Sequence, residues 1–120
     1  MLPLVWDERL PPEYRFAGNP DDLKSMSLIR QLVTASALLQ DSAHEAAAAG
    51  VLQTLKTGPR AALQQLAEAQ LWRLRLLHPK TLLASDTALW MQRVCDFDKR
   101  QRSGPEFLIG RALRAVHDYD

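Results

Sequence analysis

The chain has 120 residues, of which 47% are hydrophobic and 24% are charged. This composition is typical of one globular domain that buries its own core, and it excludes a disordered tail. The formal net charge of +1 gives no global field that would attract nucleic acid or an anionic membrane.

The cysteine count and the N-terminal residues indicate the cellular compartment in which the protein is expected. Cys95 is the only cysteine, so no disulfide can form within the chain, and a reducing compartment is expected. Asp7 interrupts the apolar residues that end at Trp6, which argues against a signal peptide. No apolar stretch approaches the roughly 20 residues that span a bilayer. We therefore expect a cytoplasmic protein with no membrane partner.

Residues 1–18 are predicted to form an extended arm. Pro3, Pro11 and Pro12 each lack an amide donor and push the preceding residue toward an extended conformation. The arm is nevertheless too apolar for a solvated tail, so it must lie on its own helices or on another protein. We favour the first alternative. The candidate partner contacts in the arm are Trp6, Tyr14 and Phe16.

Residues 19–120 are predicted to form a single all-α domain, a compact bundle of about five helices. Capping residues and first-turn prolines, as at Gly58-Pro59 and Ser103-Gly104-Pro105, mark the helix starts. The predicted helices span residues 20–40, 42–56, 59–77, 85–102 and 105–117. The second has a face of small residues that would let another helix approach closely, so it could be sandwiched.

The third predicted helix has two apolar stripes. One is a broad face that includes Leu63 and Ala67, and the other contains Ala69, Trp72 and Leu76 at spacings i, i+3 and i+7. A helix that is apolar on both sides must be covered twice. Either it is the central helix of the domain, which we favour, or the side with Trp72 contacts another chain.

The last two predicted helices are amphipathic. The fourth is expected to bury Trp90, Met91, Val94, Cys95 and Phe97. The fifth is expected to bury Leu108, Ile109, Ala112, Leu113 and Val116. Its outward side carries Phe107 with Arg111 and Arg114, residue types that are enriched in protein interfaces.

No pattern in the chain indicates a reaction. Metal sites in helical bundles use Glu-x-x-His pairs or histidines at i and i+4, but His44, His78 and His117 are isolated. His44 is expected to be partly buried and hydrogen-bonded. The glycines are too dispersed for a phosphate-binding loop. We predict no enzyme, no metal ion and no cofactor.

The function that remains is binding. The arm, the stripe of Ala69, Trp72 and Leu76, and the group of Phe107, Arg111 and Arg114 favour an interaction module that binds another protein, in a hetero-complex or a homo-oligomer. Such a module could serve as an adaptor, small chaperone, regulator or assembly subunit. The alternative is a nucleic-acid-binding regulator that uses the basic residues of the last two helices.

Overall fold

The computed structural model describes the backbone of residues 27–119 and the side chains of residues 27–117. Five α-helices and no strand lie in this range. They are α1 (Leu28–Leu38), α2 (Glu45–Lys56), α3 (Ala61–Leu76), α4 (Ala84–Val94) and α5 (Ser103–Tyr119). The predicted all-α class is therefore confirmed for the described range. The predicted arm, residues 1–18, lies outside it.

The second helix begins later than predicted, and the part of the first predicted helix before residue 27 lies outside the described residues. Ser27 is extended, with φ −58° and ψ 156°, and its side chain accepts a hydrogen bond from the amide of Arg30, so α1 begins at Leu28. The turn before α2 is held by Asp41, whose carboxylate accepts from the amide of Ala43 at 3.0 Å and contacts His44 Nδ1 at 2.8 Å. Because of this turn, α2 begins at Glu45. The predicted partly buried, hydrogen-bonded state of His44 is confirmed.

Two cores meet at α3. The first, which we call the aliphatic core, joins α1, α2 and the first half of α3. Its buried members are Leu32, Ala35, Leu38, Leu39, Ala48, Leu52, Leu55, Leu63 and Ala67. The second, the aromatic core, joins the second half of α3 to the chain that follows it. Its buried members are Ala69, Trp72, Leu76, Leu82, Trp90, Phe97, Leu108, Ile109, Ala112 and Val116.

The small-residue face of α2 is not sandwiched between helices. Ala46, Ala47 and Gly50 are exposed, while the opposite face buries Ala48 and Leu52 against α1 and α3. The prediction that a helix covers this face is wrong for the described residues. The face stays exposed because α1 and α3 both pack on the opposite, aliphatic side of α2.

A buried polar group also links α1 to α3. Arg73 is fully buried; its Nε donates to Gln70 Oε1 at 2.8 Å, and its guanidinium donates to the backbone carbonyl of Ser36. A buried guanidinium is tolerated only where its donors find acceptors. Arg73 therefore fixes the position of α3 against α1.

Helix α4 is shorter than the predicted helix over residues 85–102. After Val94 the chain turns so that Phe97 enters the aromatic core. The carbonyls freed at this helix end accept hydrogen bonds from Arg102, which donates to Cys95 O at 2.7 Å and to Phe97 O at 3.0 Å. A short 3-10 helix, Lys99–Gln101, then leads into α5.

Candidate protein-interaction surface

The outer face of α5 combines large exposed apolar groups with charge. The helix buries Leu108 and Ala112 on its inner side. Phe107 and Leu113 lie on the outer side, 52% and 44% exposed. The prediction that Leu113 points inward is wrong, because the buried side of α5 includes Ile109 but does not extend to Leu113, which lies one turn further along the helix.

Gly110 lies at the centre of this outer face. It is exposed, its φ is not positive, and a Cβ added to it would meet nothing within 4 Å. Glycine inside a helix costs about 0.5–1 kcal/mol relative to alanine. No neighbour in the described chain needs the space that this glycine leaves. What it provides is bare helix backbone that another molecule can approach closely.

Charged side chains surround the apolar pair. The guanidinium carbon of Arg111 lies 5.8 Å from the ring centroid of Phe107, a cation–π contact. Glu106 and Arg114 are both exposed on the outer face, one turn before and one turn after Gly110. Within residues 27–117, neither of them forms an ion pair with another side chain. The face thus carries two apolar and two oppositely charged groups around a glycine, and we call it the Gly110 face.

Comparison of the chain with family models, curated proteins and solved structures finds no match. Its function has to be inferred from its own residues. In the described range, no three His, Cys, Asp or Glu side chains are grouped so that they could hold a metal ion. No helix there is long and apolar enough to cross a membrane.

The predicted contact stripe of Ala69, Trp72 and Leu76 lies in the aromatic core. Trp72 is only 6% exposed. Its ring stacks on Trp90 at a centroid distance of 5.2 Å and on Phe97 at 5.5 Å. This arrangement corresponds to the central-helix alternative, since α3 is covered on both sides. We therefore leave these three residues out of the candidate surface.

The remaining predicted contacts divide into two groups. Phe107, Arg111 and Arg114 lie on or beside the Gly110 face, as the spacing on α5 predicts. The arm residues Trp6, Tyr14 and Phe16 lie outside the described residues.

Two predictions on α4 are wrong. Met91 is 44% exposed, and Cys95 is an exposed free thiol rather than a buried side chain. The helix uses a narrow inner side around Trp90, whose partner Trp72 is large enough to keep α4 away from α3. Leu89 and Met91 consequently flank Trp90 outside the core.

A groove of about 520 Å³ lies between α2, α3 and α4. Leu71, Trp72, Leu89 and Trp90 line it, and two ion pairs border it. In the first pair, Arg75 contacts Asp86 at 3.0 Å. The second, between Glu68 and Arg93, is bidentate. The groove is therefore bordered by ion pairs that hold α4 to α3, and we assign it a structural role.

The ion pair of Glu68 and Arg93 is the stronger of the two links. Arg93 Nε and Nη2 donate to the two carboxylate oxygens of Glu68 at 2.9 and 2.8 Å, and the Glu68 side chain is only 8% exposed. The hydrogen bond to Glu68 and its negative charge raise the pKa of Arg93 above its ordinary value. Paired planar groups of this kind fix orientation as well as distance.

Two of the three basic residues before α5 contact groups of the fold, although the Arg100 side chain stays exposed. Arg102 caps the end of α4, and Arg100 Nη2 lies 3.4 Å from the carboxylate of Asp98. Asp98 also accepts from the backbone amide of Arg100, and this hydrogen bond is the main reason that the pKa of Asp98 lies below its ordinary value. These contacts reduce the support for a nucleic-acid-binding surface at these basic residues.

Two residues that matter for the surface and the fold could not be identified from the sequence. In the sequence, Gly110 is one of several dispersed glycines, although its place between Phe107 and Leu113 on a helix face is a usable signal. The role of Arg73 was also missed. Its signal was its position three residues after Gln70 on a largely apolar helix.

Proposed function

We propose that the protein is a non-enzymatic interaction module that binds another protein chain through the Gly110 face. The observation that supports this is the exposure of Phe107 and Leu113 on either side of a glycine that nothing in the described chain approaches. Large exposed apolar groups on a small domain, with a charged border, are typical of protein-binding sites.

The chemistry of the face favours a helix or another flat apolar surface as the bound element. Phe107 supplies a large contact area, and the cation–π contact with Arg111 restrains its ring before binding. Adaptors, small chaperones, regulators and assembly subunits all use such surfaces. The exposed thiol of Cys95 suits a reducing compartment, and we propose the cytoplasm.

A photo-crosslinking residue at position 107, introduced in the native host, tests this proposal. Position 47 on the exposed face of α2 is the matched control, because Ala47 is also an exposed helical residue. We expect a protein adduct at position 107 that is absent at position 47. The adduct partner, once purified, should bind the wild type at least about tenfold more tightly than Phe107→Ala. No adduct at position 107, or the same adducts at both positions, would contradict the proposal.

The nucleic-acid alternative has less support, because Arg100 and Arg102 contact groups of their own fold. It predicts binding whose affinity falls steeply as salt rises and is lost on changing Arg111 and Arg114 together to Gln. Nanomolar, sequence-dependent binding to a duplex at physiological salt would make it the better proposal.

A further inference from the structure

The Gly110 face is complementary to itself. When two copies of a helix pack antiparallel about a two-fold axis through one residue, positions equally far before and after that residue face each other. With the axis at Gly110, Phe107 of one copy faces Leu113 of the other. Glu106 of one copy then faces Arg114 of the other.

From this pairing we infer that the Gly110 face binds a second copy of this chain, an inference that rests on the proposed interaction function. An isologous interface repeats every contact twice, so it holds two apolar pairs and two ion pairs. The crossing point would bring Gly110 against Gly110. Helix axes can come closest where the side chains at the contact are smallest.

The charges of Glu106 and Arg114 favour an antiparallel over a parallel pair of α5 helices. In a parallel pair about the same face, Glu106 would lie beside Glu106 and Arg114 beside Arg114, so like charges would meet. In the antiparallel pair both contacts are between opposite charges. Because Glu106 and Arg114 form no ion pair within residues 27–117, neither has to give up such a pair to form these contacts.

Charge exchange tests the pairing on the full-length chain. Glu106→Arg and Arg114→Glu should each weaken self-association at least about tenfold, because each places like charges together twice. An equimolar mixture of the two variants should form a heterodimer, since positions 106 and 114 are then both positive in one chain and both negative in the other. The double variant should self-associate within about threefold of the wild type. Sedimentation measures the wild type, the two single variants, their mixture and the double variant, and circular dichroism checks that each is folded.

Lys80→Glu is the matched control. Lys80 is exposed in a short 3-10 helix, Pro79–Thr81, between α3 and α4, and its replacement changes the net charge by the same amount as Arg114→Glu. We expect it to leave self-association unchanged.

Three results would overturn the inference. The first is a wild type that stays monomeric at every concentration, and the second is a pair of single variants that associate as well as the wild type. The third is folded single variants that are monomeric and fail to associate when mixed. None of these results affects the crosslinking test of binding to a different protein, so failure of the dimer and failure of the proposed function can be told apart.

Discussion

The aliphatic core and the aromatic core pack around α3 in different ways. The aliphatic core uses leucines and alanines, and α1, α2 and α3 approach one another closely. The aromatic core instead stacks Trp72 on Trp90 and Phe97, so large rings fill the space between α3 and α4, while α5 packs closely on α3. The large exposed apolar side chains follow the same division. Among the described residues, only Ile29 lies in the first part, and the others are Leu83, Leu89, Met91, Phe107 and Leu113.

This difference in packing accompanies a difference in exposed apolar surface. Leucine and alanine side chains interdigitate, so the first three helices can bury most of their large apolar groups within the described fold. The stacked rings keep α4 away from α3, so only Thr87 and Trp90 of α4 are buried. Leu89 and Met91 therefore stay exposed on either side of Trp90. The exposed apolar surface of α4 follows from the geometry of the aromatic core.

Replacing the central ring should produce the largest loss of stability. Trp72→Ala removes both stacking contacts and leaves a cavity, so we expect the free energy of unfolding to fall by about 3–5 kcal/mol. Trp72→Phe keeps an aromatic ring at the site and should cost less. Denaturant unfolding followed by circular dichroism measures both. A loss below about 1 kcal/mol for Trp72→Ala would show that the ring stack does not support the fold.

A leucine of the other core provides the comparison. Leu52 is fully buried, and Leu52→Ala should cost about 3 kcal/mol. Because α3 contributes to both cores, we expect this variant and Trp72→Ala to shift one shared unfolding transition. Two separate transitions, each sensitive to one variant, would instead show that the cores unfold independently.

The sequence was sufficient for the helices but not for their ends. Apolar periodicity located all five helices, and Gly58-Pro59 marked the start of α3 to within two residues. The end of α4 could not be predicted, because residues 95–102 continue an amphipathic pattern. What ends the helix is tertiary: Phe97 turns into the aromatic core, and Arg102 caps the freed carbonyls.

The candidate surface could also be predicted only in part, because some of its residues depend on tertiary contacts. The position of Phe107 beside Arg111 follows from helix spacing alone. The two apolar sides of α3 are also evident from the sequence. Whether Trp72 contacts another chain depends on Trp90 and Phe97, which lie too far along the sequence for a local pattern to pair them with Trp72. Leu113 was misassigned, because its exposure depends on how narrow the buried side of α5 is.

The link between α3 and α4 should give an intermediate effect. Arg93→Met keeps the aliphatic stem but removes both hydrogen bonds to the nearly buried Glu68. We expect a loss of about 1–2 kcal/mol, because the guanidinium is half-exposed and solvent reduces the strength of the pair. The double variant Glu68→Leu, Arg93→Met should recover much of this stability, since no unpaired charge remains. If the double variant is less stable than Arg93→Met, the remaining carboxylate is not the cause of the loss.

Two glycines give the smallest effect and the sharpest comparison between the two parts. Gly50 in α2 and Gly110 in α5 are both helical and exposed, and an added Cβ would meet nothing within 4 Å at either. Alanine should therefore raise the free energy of unfolding of the isolated chain by about 0.5–1 kcal/mol at each site. Dilute samples in thermal melts measure this gain. At higher concentration the two variants should diverge, because a methyl group at position 110 would separate the paired helices and one at position 50 would not. Equal self-association of both variants would show that the bare backbone of Gly110 is not used for contact.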